Sequence, residues 1–140
     1  MITEDHIRYL VDQVIKYNLD APSYLFDIGY LRMSLIYNGC GPDWLPSDIR
    51  KRLTAPLSFF EPMFLIHDVR FEFGDKTREG FNAANLEMFY NGRKLINGQF
   101  PWWSSPFKHW AHRTANVAIY LACDSHVGWL SWNAAPKTEV

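Results

Sequence analysis

Cysteine is scarce in this chain: Cys40 and Cys123 are the only two in 140 residues. A small secreted domain stapled by disulfides needs more. The two thiols read as reduced and partly buried, and a single bridge between them stays open. Charge of one sign is also short. Lys and Arg together number 14 against 15 Asp and Glu, for a formal net charge of −1, which lacks the basic surplus of a nucleic-acid binder. No apolar run approaches the roughly 18 residues of a membrane-spanning helix. The opening MITEDHIRYL has no basic start, apolar stretch or small-residue cleavage site, so it does not read as a secretory signal. Synthesis in a reducing cytoplasm is the expectation, and the final site of action stays open. There is no internal repeat and no low-complexity tract. No GxSxG elbow, phosphate-binding loop or CxxC pair supports those reaction classes.

Apolar and aromatic material is abundant. The chain is 48% hydrophobic and 16% aromatic, with 6 Trp, 7 Tyr and 10 Phe, enough to bury the core of one domain. Residues 1–36 read as an N-terminal helix with a packed extension, 37–132 as the core, and 133–140 as a frayed tail.

The patterning predicts a mainly α fold. Ile7, Leu10, Val11, Val14 and Ile15 recur at spacings of three and four, giving an amphipathic helix over 4–17 with Thr3 as N-cap. Residues 18–36 are aromatic-rich and fit either a short strand or an irregular packed segment. Gly39, Gly41, Pro42, Pro46 and Pro56 make 37–58 loop-like, with room for a short helix at 48–53 capped by Ser47. In 59–73, Phe60, Phe64, Ile66 or His67, and Phe71 fall at helical spacings, and Gly74 stands where a helix C-terminal glycine would. A second long helix over 78–97 places Phe81, Asn85, Met88, Gly92 and Leu95 on one face. Ser105-Pro106 opens a third helix running to about Cys123, with Gly128 beyond its end.

Four features carry possible chemistry. His67-Asp68 interrupts an otherwise apolar helix, where burying an unpaired carboxylate is costly; the pair either faces solvent or has partners. Tyr37-Asn38-Gly39-Cys40-Gly41-Pro42 is either a plain turn or a loop whose carbonyls point inward, as a hard cation requires. Asn85 lies on an apolar helix face and wants a partner, either a backbone carbonyl or a histidine ring nitrogen on a facing helix. His109 and His112 lie three apart, which suits either a transition-metal pair or a solvent-facing pair. Trp102-Trp103, with Trp110 beyond, fits a membrane interface or ordinary core packing. Arg50-Lys51-Arg52 fits anionic lipid or a solvated face. Ser104 and Ser105 read as caps.

Taken in order, YNGCG, HDVRF and a following partner helix resemble the phospholipase A2 superfamily, and more closely its small bacterial and phage-associated branch than the disulfide-rich venom enzymes. RTANVAIYLACDSHVGW is similar to the closing helix of the bacterial members. The resemblance spans roughly residues 37–132. It implies two long pairing helices carrying a His-Asp dyad, preceded by a glycine-rich loop. It implies calcium held by the carbonyls of Tyr37, Gly39 and Gly41 and by the Asp68 carboxylate, with His67 as general base. The oxyanion would sit against the calcium and the Gly39 N–H. A histidine of ordinary pKa, roughly 6.5, suits base catalysis near neutrality. The implied partner is a phospholipid or membrane surface, with no nucleic acid, or a protein partner if catalysis is lost. Two positions depart from the family pattern: Phe71 replaces its tyrosine, and Asn85 aligns with the second-helix aspartate that orients the histidine. Residues 42–58 also lengthen the span between loop and dyad.

Overall fold

The computed structural model describes residues 2–37, 48 and 57–134, and among them every regular element is helical. The α-helices are α1 (Glu4–Lys16), α2 (Tyr30–Ile36), α3 (Glu61–Phe73), α4 (Arg78–Gln99), α5 (Pro106–Cys123) and α6 (His126–Ala134), with single 3-10 turns at Ser23–Phe26 and Ser58–Phe60. The strand alternative for 18–36 is therefore set aside: a 3-10 turn and α2 occupy it. Of the helix expected at 48–53, only Asp48 is described, and it is helical. Gly39, Cys40, Gly41 and the basic run Arg50–Arg52 lie outside the described residues.

α1 forms as its spacing predicts. The Thr3 hydroxyl accepts from the His6 N–H at 3.2 Å, and Ile7, Leu10, Val11 and Val14 are buried. The helix ends in a Schellman turn. Asn18 adopts φ 50°, a left-handed conformation that Asn tolerates better than most residues. The Leu19 N–H then reaches Val14 O at 3.0 Å and the Asn18 N–H reaches Ile15 O at 3.1 Å. α4 clamps this turn from the other side of the fold. Asn91, fully buried, accepts from the Asp20 N–H at 2.7 Å and donates to Asp20 O at 2.8 Å. Lys94 Nζ adds a bond to Asn18 O at 2.8 Å and an ion pair to Asp20 at 3.1 Å.

α3 is the central helix. It packs against α1, α2 and α4, and Pro62 through His67 together with Val69 are buried. A helix surrounded on most sides has no polar face to alternate with. Gly74 does follow α3, but at φ −66° and ψ 156° it is not a left-handed cap. It is glycine because a Cβ there would meet Arg70 O at 2.3 Å and the Trp132 ring at 2.6 Å.

α4 buries the face expected of it, Phe81, Asn85, Met88, Gly92 and Leu95, and packs against α3 and α5. Arg70 on α3 and Glu87 on α4 form a two-bond ion pair at 3.1 and 2.7 Å, which pins the register of the α3–α4 pair near His67. Arg70's pKa is raised, chiefly by that bond to Glu87. The α4–α5 contact depends on Gly92. Asn116 of α5 donates to Phe89 O at 2.9 Å, and a Cβ on Gly92 would stand 2.1 Å from Asn116 Oδ1. That oxygen belongs to a pinned, buried side chain and has little room to yield. Gly92→Ala is therefore expected to lose about 1–3 kcal/mol through overpacking, despite the better helix propensity of Ala. Thermal unfolding checks it, and adding Asn116→Ala should restore most of the loss.

α5 begins at Pro106 as read, but Ser105 makes no side-chain cap bond; its carbonyl accepts from the His109 N–H at 2.9 Å. Gly128 lies inside α6, against the Cys123 carbonyl that a Cβ would strike at 2.0 Å. α6 returns Trp132 to a second aromatic cluster with Phe71 and Phe81. No helix among the described residues is long and apolar enough to cross a membrane.

Candidate functional site

His67 sits near the middle of α3 and is 7% exposed. Its Nε2 lies 2.8 Å from Asn85 Oδ1 on α4. Both partners open to Asn85 are present: the histidine ring on the facing helix and a backbone carbonyl, that of Cys123, 3.4 Å from its Nδ2. The structure thus joins two residues 18 positions apart that helical spacing alone placed on two apolar faces.

The amide of Asn85 has a defined orientation. Its Nδ2 lies 3.2 Å from Asp124 Oδ1 and 3.4 Å from Cys123 O. A carboxylate and a carbonyl only accept, so the NH₂ end faces them and Oδ1 faces the ring. His67 Nε2 then carries the proton and donates it to Asn85. In the neutral ring the lone pair is left on Nδ1.

Burial drives the His67 pKa down from 6.5 to about 4, and the bond to Asn85 opposes this only in part. The reason lies in what surrounds the ring. Phe71 packs on it with centroids 4.6 Å apart, and its hydrogen-bond partner Asn85 is neutral, so that partner lacks the charge with which a carboxylate would favour the imidazolium. The ring is therefore neutral across the physiological range, and the ordinary value expected from sequence does not hold.

Asp68, the next residue, is half-buried and lies close enough to Cys123 to influence its ionisation. Cys123 is a free thiol. Its pKa is pushed up to about 12, first by burial and then by the charges of Asp68 and Asp124. Such a thiol is an inert neighbour.

Of the calcium ligands implied by the resemblance, Tyr37 and Asp68 are described. Tyr37 ends α2, and its hydroxyl donates to Glu61 Oε1 at 3.2 Å, tying the start of the glycine loop to the first turn of α3. Gly39 and Gly41 lie outside the described residues. No group of three or more His, Cys, Asp or Glu among the described residues could hold a metal ion. A shell built mainly of carbonyls, as calcium accepts, is a different arrangement from such a group.

His109 and His112 are not a solvent-facing pair. His109 is buried and its Nδ1 meets Phe100 O at 2.8 Å. His112 bonds Lys108 O at 2.7 Å and lies among Phe59, Phe60 and Phe100. Both serve packing. The tryptophans behave in the opposite way to core residues: Trp102, Trp103 and Trp110 are 62%, 72% and 60% exposed. Asp124 is the residue that sequence reasoning missed. It lies 39 positions from Asn85, and no spacing rule links the two. The chain matches no family model, no curated protein and no solved structure.

Proposed function

We propose that this chain is a phospholipase A2-like domain that hydrolyses a glycerophospholipid ester with calcium, using His67 as general base. The observation that supports it most is the His67–Asn85 bond across the α3–α4 pair. The bond orients the ring from one side and leaves Nδ1 as its basic nitrogen. In this reading Nδ1 takes a proton from a water that attacks the ester carbonyl, and later returns it to the leaving alcohol. Calcium held by Asp68 and the carbonyls of Tyr37, Gly39 and Gly41 would stabilise charge developing on the carbonyl oxygen, with the Gly39 N–H beside it.

The surface around α5 supports a lipid partner. α5 itself contains Lys108 and Arg113 but no Asp or Glu. The exposed face of α5 carries Phe107, Trp110, Val117 and Leu121, with Trp102 and Trp103 in the turn before it. Aromatic residues beside cations, with no acid, suit an anionic lipid surface.

The test is fatty-acid release from anionic phospholipid vesicles, with calcium, with EDTA, and with magnesium as control. Release that requires calcium is the expected result. Vesicle binding without release under any condition would favour a second reading, a phospholipase-like fold that has lost catalysis and acts as an interaction protein. Neutral Asn85 and the Phe71 ring against the imidazole are the observations on its side.

A further inference from the structure

A buried asparagine can present either end of its amide, and the end it presents to a histidine selects the tautomer of that histidine. What holds the Asn85 amide therefore decides which nitrogen of His67 is basic. Two acceptors contact Nδ2. The Cys123 carbonyl, at 3.4 Å, is at the outer limit of a useful hydrogen bond. The Asp124 carboxylate, at 3.2 Å, is closer and charged, and a charged acceptor makes the stronger bond. Asp124 is also well placed to hold still. It caps α5, with its own N–H bonded to Tyr120 O at 2.9 Å.

We propose that Asp124 is a positioning residue for His67. Through Asn85 it fixes the ring proton on Nε2 and keeps the lone pair on Nδ1. His67, Asn85 and Asp124 then form a string in which a neutral amide stands between imidazole and carboxylate. The amide passes on orientation and cannot take the proton, so the ring stays the terminal base. When the ring is protonated, the Asp124 charge acts on it from one residue further away than a directly bonded carboxylate would.

The role of Nδ1 rests on the hydrolysis proposed above, but the tautomer does not, and it is read without turnover. The experiment is two-dimensional NMR of the full chain with ¹⁵N-labelled histidine at pH 7. Wild-type protein should show a protonated Nε2 and an unprotonated Nδ1 at His67. His109 provides an internal control for folding. Its Nδ1 faces Phe100 O, which fixes the opposite tautomer, and that signature should persist in every variant. Asp124→Ala should cost His67 its single-tautomer pattern, with both nitrogens moving toward intermediate shifts. Asp124→Asn should keep the wild-type pattern, because the new carbonyl can accept from Asn85. The proposal is overturned if wild-type His67 carries its proton on Nδ1, or if Asp124→Ala leaves the pattern unchanged. Should Asp124→Ala lose the His109 signature, Asp124→Gly, which suits a helix end, takes its place with the same two outcomes. Absence of lipid hydrolysis with the expected tautomers would count against the proposed reaction and leave the positioning role standing.

Discussion

His67→Gln is expected to cut turnover on phospholipid vesicles by roughly 10²–10⁴ while leaving the fold intact. Gln is close in reach, and its amide can still donate to Asn85 Oδ1, replacing the 2.8 Å bond of the imidazole. The buried acceptor therefore keeps a partner, and the large cost of an orphaned polar group is avoided. What disappears is the only group on this face of α3 able to take a proton from water at neutral pH. A positioned general base contributes roughly 10²–10⁴ in rate, so a loss in that range should appear in kcat with thermal stability little changed. The pH profile sharpens the test. Burial lowers the His67 pKa to about 4, so the acid limb of the wild-type rate should fall near pH 4. A limb near 6.5, or turnover undiminished in His67→Gln, would mean that another group is the base.

The parts legible in sequence share one property: they depend on neighbours within a turn or two. The α1 stripe, its Thr3 cap and the buried face of α4 follow from helical spacing and local hydrogen bonds. The His67–Asn85 contact was open to inference because an asparagine between Phe81 and Met88 on an apolar face needs a partner. Three things were hidden. α3 is buried almost all round, so its pattern blurs into continuous apolar sequence. Trp102, Trp103 and Trp110 are exposed, although tryptophans more commonly pack inside; α5 turns only Asn116, His109 and a few half-buried residues inward. The charge that holds Asn85 comes from Asp124 beyond the end of another helix, and only the packing of α4 against α5 brings it there. Gly74 and Gly128 do lie beyond the helices that end at Phe73 and Cys123, but the close backbone and ring approaches that require glycine there depend on tertiary contacts.

Acidification from pH 7 toward pH 4 should remove about 3 kcal/mol of folding stability through His67 alone, given about 1.4 kcal/mol per unit of pKa difference. In the unfolded chain the imidazole has its ordinary value of 6.5, whereas in the fold it is lowered to about 4. Between those values the unfolded state binds a proton that the folded state refuses. Lowering the pH through this window therefore favours unfolding. The stability is fully present above about 6.5 and is lost progressively as pH falls toward 4. The cause is desolvation of the imidazolium among α3, α4 and Phe71, which the bond to neutral Asn85 offsets only in part. Other ionisable groups also contribute to the pH dependence of stability. The measurement must therefore be a difference. Urea unfolding of wild type and of His67→Gln at several pH values cancels every contribution the two proteins share. The wild-type curve should fall away from that of the variant between pH 6.5 and 4 and run parallel to it above pH 7. Parallel curves throughout would mean that His67 accepts a proton in the fold as readily as in water. The burial argument for its neutral state, and for an acid limb near pH 4, would then fail together.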